Sequence, residues 1–175
     1  MHARWLVVVG VLAASLSGCA YSIKAASDYD SRVNFSNYDT FFMMKGNSTG
    51  DSVWDERLVS QVKSTLMSKG WVEVPEGDGQ TAVIVHVATS AEHTDESFYK
   101  GWGDWHWRWN GAASTTRLVE DYKVGTVVVT IFDANSKQAI WRGFATDAVS
   151  NNPKHAVNVR DAAVAKIFAQ FPPAQ

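Results

Sequence analysis

Residues 118–147 read LVEDYKVGTVVVTIFDANSKQAIWRGFATD. Two runs rich in β-branched and aromatic residues flank Ala134-Asn135-Ser136-Lys137, four residues of turn chemistry. Side chains that branch at Cβ favour the pleated backbone, and Asn and Ser favour its reversal. The pattern predicts a long strand over 118–133, a turn at 134–137 and a returning strand over 139–147. A hairpin of this length commits the chain to an antiparallel sheet, and the rest of the sequence has to supply its neighbours and its cover.

Upstream, residues 82–88 (AVIVHVA) are almost continuously apolar, which predicts a central strand buried on both faces. Residues 71–75 (WVEVP) predict a short strand running into a turn at 76–79, and residues 40–44 (TFFMM) another strand, followed by a loop at 46–50. Between them a helix is expected from Asp51 or Ser52. Ser52 with Asp55 resembles a capping box, and Trp54, Leu58, Val62 and Leu66 recur at every fourth position. Lys69 and Gly70 fit its C-terminus, where a cation and a left-handed glycine are favoured. Downstream, Asn152-Pro153 predicts a second helix start. Ala156, Val159, Ala163 and Ile167 form its apolar stripe, Val164, Phe168 and Phe171 widen it, and Pro172-Pro173 ends it. Val85, Val127, Val129, Trp141 and Phe168 are expected in the core. The expected fold is α+β: a two-layer domain over 40–173, its sheet mostly antiparallel, with two amphipathic helices on one face. Residues 19–39 read as a tether, although the alternation of Tyr21, Ile23 and Ala25 permits a first edge strand.

The N-terminus carries a separate signal. After a basic start containing Arg4, residues 5–16 (WLVVVGVLAASL) form a 12-residue apolar run. A transmembrane helix needs about 20 such residues, whereas a signal peptide needs fewer. The run leads into Leu16-Ser17-Gly18-Cys19, which resembles a bacterial lipobox. That resemblance implies cleavage after Gly18, with Leu16, Ser17 and Gly18 read by the lipoprotein signal peptidase, and lipid attachment at Cys19. Residues 1–18 are then a lipoprotein signal peptide. Cys19 is the one cysteine in the chain, so neither a disulfide framework nor a cysteine metal site is available. Ala20, where an Asp would favour inner-membrane retention, implies an outer-membrane lipoprotein facing the periplasm of a Gram-negative host. Removing 18 of 175 residues leaves 157, enough for one domain with a real core. Arg4 leaves with them, so 15 of the 16 Lys and Arg face 18 acidic residues. A mildly acidic domain argues against nucleic acid as a partner, since phosphate binding needs a basic face.

Three arrangements could carry chemistry. Gly46-Asn47-Ser48-Thr49-Gly50 matches G-x-S-x-G, and Asp133 and His155 follow in the order of a triad. The serine precedes the helix cap by about four residues, however, and no second glycine-rich loop offers an oxyanion hole, so an ordinary polar loop is the expected reading. His93 with Glu92 and Asp95 lacks metal-ligand spacing. His86 reads as a hydrogen-bonded core histidine, and Asp28 and Asp30 as turn or surface carboxylates. The chain is expected to be non-enzymatic and to need no cofactor or metal.

Residues 101–111 (GWGDWHWRWNG) place Trp102, Trp105, Trp107 and Trp109 within eight positions. Trp105, Trp107 and Trp109 alternate with His106 and Arg108, the period of an extended strand. The row could pack over the sheet, sit at the membrane interface beside the lipid anchor, or, together with Arg108, present a surface to a glycan, to peptidoglycan or to an envelope protein.

Asp28-Tyr29-Asp30, residues 35–41 (FSNYDTF), Lys69-Gly70-Trp71, residues 122–126 (YKVGT), Ile131-Phe132-Asp133, Ile140-Trp141-Arg142-Gly143 and Phe171-Pro172-Pro173 together resemble the bacterial lipoproteins grouped as domain of unknown function 4136. The resemblance spans residues 20–173. It implies a lipid-anchored envelope protein with an α+β domain, and it brings no catalytic residues with it. The expected function is therefore that of a structural or accessory envelope lipoprotein held in the membrane by its N-terminal lipid. The alternative is a glycan- or peptidoglycan-binding module using the Trp-rich segment.

Overall fold

The computed structural model describes residues 23–88, 124–149 and 153–172. In chain order they form β1 (Lys24–Tyr29), β2 (Thr40–Met43), α1 (Ser52–Ser68), β3 (Val72–Glu73), β4 (Thr81–Val87), β5 (Val127–Asp133), β6 (Ala139–Thr146) and α2 (Pro153–Ile167). One six-stranded sheet runs β1-β6-β5-β4-β2-β3. The expected hairpin is its centre: β5 and β6 pair antiparallel, Val129 opposite Gly143 and Ile131 opposite Trp141. β4 pairs antiparallel with β5 on the other side. The β2–β4 and β2–β3 pairs are parallel, so α1 is the crossover that carries the chain from β2 to the outermost strand β3.

The two helices share one face of the sheet. Leu58, Val62 and Leu66 of α1 and Val159, Ala163, Val164 and Ile167 of α2 join Val83, Val85, Val127, Val129, Ile131 and Trp141 in one buried cluster. All five residues expected in the core are buried, from Val127, Val129 and Trp141 at 0% exposure to Val85 at 5%. The alternate residues of the strands form two further clusters, one around Phe42, Ile84 and Phe132, the other around Val128 and Phe144. β4 is buried along its whole length, as its unbroken apolar sequence requires.

The details depart from expectation or decide between its alternatives in several places. β5 begins at Val127 rather than 118, because Val124 and Gly125 turn the chain and the Gly125 N–H closes onto the Ala88 carbonyl at 2.8 Å. Residues 118–123 lie outside the described residues. The cap of α1 is Asp51, which accepts from the Trp54 N–H at 3.0 Å. Asp55 does not reach back to Ser52; its carboxylate accepts from Ser48 Oγ and Thr49 Oγ1, both at 2.7 Å, and so pins the preceding loop. The α2 helix stops at Ile167, and a single 3₁₀ turn, Phe168–Gln170, carries the widened stripe on to Phe171. Lastly, the permitted edge strand is real: β1 pairs with β6 from Lys24↔Thr146 to Tyr29↔Trp141. Among the described residues no helix is long and apolar enough to cross a membrane.

Candidate functional site

Beyond the helix-covered face, the described surface is indented by a cleft of ≈ 540 Å³ between the chain leading into β2, the end of α1 and the last turn of the domain. Its walls are built locally. Asn34 caps the 3₁₀ turn Phe35–Asn37, accepting from the Ser36 N–H at 3.0 Å and from Ser36 Oγ at 2.6 Å. Gln80 straps that turn to the sheet: its Oε1 accepts from the Asp39 and Thr40 N–H groups and its Nε2 donates to the Asn37 carbonyl. On the opposite wall α1 ends at Lys69, and Gly70, with φ 91°, turns the chain so that the Trp71 N–H returns to the Leu66 carbonyl. Pro172 closes the third side.

Phe35 and Trp71 supply the buried aromatic part of its lining, and both rings meet Phe171 in the core. The Phe171 ring meets Phe35 at 5.9 Å, Trp71 at 5.2 Å and Trp141 at 5.0 Å between centroids, all near edge-to-face, the arrangement the ring quadrupole favours. Phe35 and Trp71 are buried, while Asn34, Ser36, Asp39 and Lys69 are exposed on the rim. The cleft is an open, shallow surface indentation with an apolar base and a few polar groups on its rim.

Tyr38 lines the same cleft, and its hydroxyl donates to Asp133 Oδ2 at 3.0 Å. Burial, reinforced by that hydrogen bond, pushes the phenol from its ordinary value near 10.0 up to about 12. Burial also acts to raise the Asp133 carboxyl. The N–H and hydroxyl of Ser136, with Tyr38 and the Asn135 N–H, outweigh it and hold the group below the ordinary carboxylate range. The sign follows for each group. A depressed carboxyl stabilises the fold above about 4 and loses that contribution as pH falls through its folded value. A raised phenol stabilises below about 10 and loses the contribution on the way to 12. Tyr38→Phe, which keeps the ring, is expected to cost about 1 kcal/mol at pH 7. It should also remove the share of any fall in melting temperature between pH 10.0 and about 12 that Tyr38 supplies. Thermal melts across that range check it; an unchanged alkaline profile would place the titration elsewhere.

The sequence candidates separate. Leu16, Ser17, Gly18 and Cys19, and Trp102, Trp105, Trp107, Arg108 and Trp109, lie outside the described residues, as do His93, Glu92 and Asp95. Ser48, Asp133 and His155 are not a triad: the Ser48 hydroxyl is given to Asp55, the Asp133 carboxylate is taken by Ser136 and Tyr38, and His155 is exposed on the first turn of α2. His86 is buried on β4. Asp28 is half-buried, but Asp30 is not a surface group. It is 6% exposed, and its carboxylate binds the Arg32 guanidinium at 2.6 Å and 2.9 Å while accepting the Arg32 N–H. That pairing with Arg32, against the opposing effect of burial, holds the Asp30 carboxyl below its ordinary range. Among the described residues no three His, Cys, Asp or Glu side chains gather as metal ligands.

The cleft was not read from sequence, yet its parts were. Residues of the 34–39 and 69–71 stretches and Pro172 stand far apart in the chain and converge on it. A family model described as "Domain of unknown function (DUF4136)" matches residues 25–173. The chain belongs to the DUF4136 family. No curated protein sequence matches it. Among solved structures it is similar to a DUF4136 family protein from Bacteroides thetaiotaomicron, with a TM-score of 0.62 and 13% identity over 87% of this chain and 97% of that one. It also resembles a PDZ domain protein from Parabacteroides distasonis (TM-score 0.54, 13% identity, 86% of this chain), of which it spans 36%. A third neighbour is the PelC dodecamer from Paraburkholderia phytofirmans, with a TM-score of 0.52 and 14% identity over 87% of this chain and 99% of that one. At these identities the likeness is one of fold.

Proposed function

We propose that this DUF4136 protein is a lipid-anchored lipoprotein of the bacterial envelope, facing the periplasm from the outer membrane, with a structural or accessory and non-enzymatic role. The observation that carries this reading is Leu16-Ser17-Gly18-Cys19 behind a basic start and a 12-residue apolar run. The spacing supports it. The sheet begins at Lys24, five positions beyond Cys19, so an anchored chain holds its domain within about 20 Å of the lipid surface. Two or three acyl chains on one residue suffice for a stable anchor where one would bind reversibly. A fold neighbour that is a dodecamer is in keeping with a role exercised through protein contacts.

Metabolic labelling with a palmitate analogue in a Gram-negative host, followed by membrane fractionation, tests the reading. The wild-type chain should carry label and sediment with the outer membrane. Cys19→Ser should carry none, and should accumulate as precursor or as soluble periplasmic protein. Label that persists in Cys19→Ser, or an unlabelled wild-type chain, would overturn the proposal.

A further inference from the structure

We infer that β1 is an interface between two copies of this chain, joined antiparallel about a two-fold axis through Ala26. Among the described residues β1 pairs with β6 on one side only and is the outermost strand of the sheet. The Asp30 N–H donates to the Ile140 carbonyl at 3.0 Å, so the even-numbered residues of the strand turn their backbone groups toward β6. Those of Ala25, Ser27 and Tyr29 therefore turn outward. The Tyr29 N–H is satisfied by Asp28 Oδ1 at 2.9 Å. Ala25 and Ser27 are left with a row of outward donors and acceptors, the template that sheet edges offer to another strand.

The side chains fit a second copy of the same strand. Its sequence, KAASDY, is small at the centre, and Lys24, Ala25 and Ala26 are exposed. With the axis at Ala26, Ala25 and Ser27 of the two copies exchange hydrogen bonds directly. Lys24 of each copy then stands opposite Asp28 of the other. Lys24, Ala26 and Asp28 lie on one face of the strand, and pairs that do not share backbone hydrogen bonds bring their side chains closest. Asp28 is half-buried, so a lysine from the partner meets a carboxylate partly shielded from water. Moving the axis to Ala25 sets Lys24 opposite Ala26, and moving it to Ser27 sets Lys24 opposite Asp30, whose carboxylate is buried and already held by Arg32. The far edge of the sheet offers no equivalent, because β3 has two residues, its Glu73 is paired with Lys63 at 2.5 Å, and Pro75 follows.

The test uses the chain with Cys19→Ser, which removes the one native thiol, so that Ala26→Cys adds a single reporter. In the two-fold pair the Ala26 positions face each other at about 4.5 Å between Cα atoms, within disulfide range. Mild oxidation should yield a covalent dimer. In the Cys19→Ser chain alone, Lys24→Asp or Asp28→Lys should each weaken dimerisation in sedimentation by roughly tenfold, since the symmetry repeats each like-charge pair twice. Combining the two restores the opposite-charge pairs and should restore the dimer. Ser27→Pro removes an outward donor without touching the β6 ladder, so it should give a monomer that melts near wild type. A chain that sediments as a monomer, an Ala26→Cys chain that does not cross-link, or a dimer indifferent to the charge exchange would each overturn the proposal.

Discussion

Replacing Trp141 with alanine lowers the stability of the domain by about 3–5 kcal/mol, the cost of truncating a large, fully enclosed side chain. Trp141 is 0% exposed. Its indole stacks on Phe168 at 5.2 Å and meets the Phe171 edge at 5.0 Å, so one side chain of β6 joins the sheet to the last turn of the domain. For a domain of this size the melting temperature should fall by roughly 10–15 °C. Gly143 is part of the same arrangement. A Cβ at that position would overlap the outer ring of Trp141 and come within 2.7 Å of an Ile167 methyl. Gly143→Ala should therefore cost about 1–3 kcal/mol in the wild-type background, as overpacking does, and clearly less when Trp141 is already alanine and only the Ile167 methyl has to give way. A double-mutant cycle measured by denaturant melts should show coupling of about 2 kcal/mol. Additive effects would mean that the glycine serves the backbone and not the indole.

Gly46→Ala should be nearly as damaging, at about 3 kcal/mol, the upper end of overpacking. The residues after β2 run alongside β4: the Met44 N–H donates to the Val83 carbonyl, and the Asn47 side chain both donates to the Val87 carbonyl and accepts its N–H. Gly46 passes directly over the Val85 carbonyl, where a methyl group would overlap the oxygen, and a backbone carbonyl inside a sheet cannot swing aside. Urea titration measures the loss. A variant as stable as wild type would show that the loop can lift from β4. This also gives the first glycine of the G-x-S-x-G match its physical reason, which is close approach of two backbones and not a nucleophile elbow.

Such cases mark what could be read in the sequence. The hairpin, the buried strand at 81–87 and both helices follow from periodicity and turn chemistry, because each signal is local and repeated. The start of β5 was misplaced because the β-branched pattern runs through Val124 and Gly125, and only the closure of Gly125 onto Ala88 interrupts it. Asp51 prevailed over Ser52 as the cap because Asp55 is committed to Ser48 and Thr49, a contact that reads poorly in one dimension. Asp30 was misjudged for a similar reason: its burial depends on β1 lying against β6. The cleft escaped altogether, since its walls come from three distant stretches that only the α1 crossover and the last turn bring together.

The position of β1 has a kinetic consequence. Its whole ladder is with β6, and the Lys166 ammonium reaches the Ile23 carbonyl at 2.8 Å across 143 positions of sequence. The first strand to emerge during synthesis thus has to wait for the last one, and the entropy of closing so long a loop falls on the final step of assembly. KAASDY stays unpaired until almost everything behind it is in place, while β5 and β6 can zip across a short turn. The hairpin is then the natural nucleus and β1 the latch that shuts late. Truncations at the far C-terminus would accordingly expose the N-terminal segment to proteases before they melted the centre of the sheet.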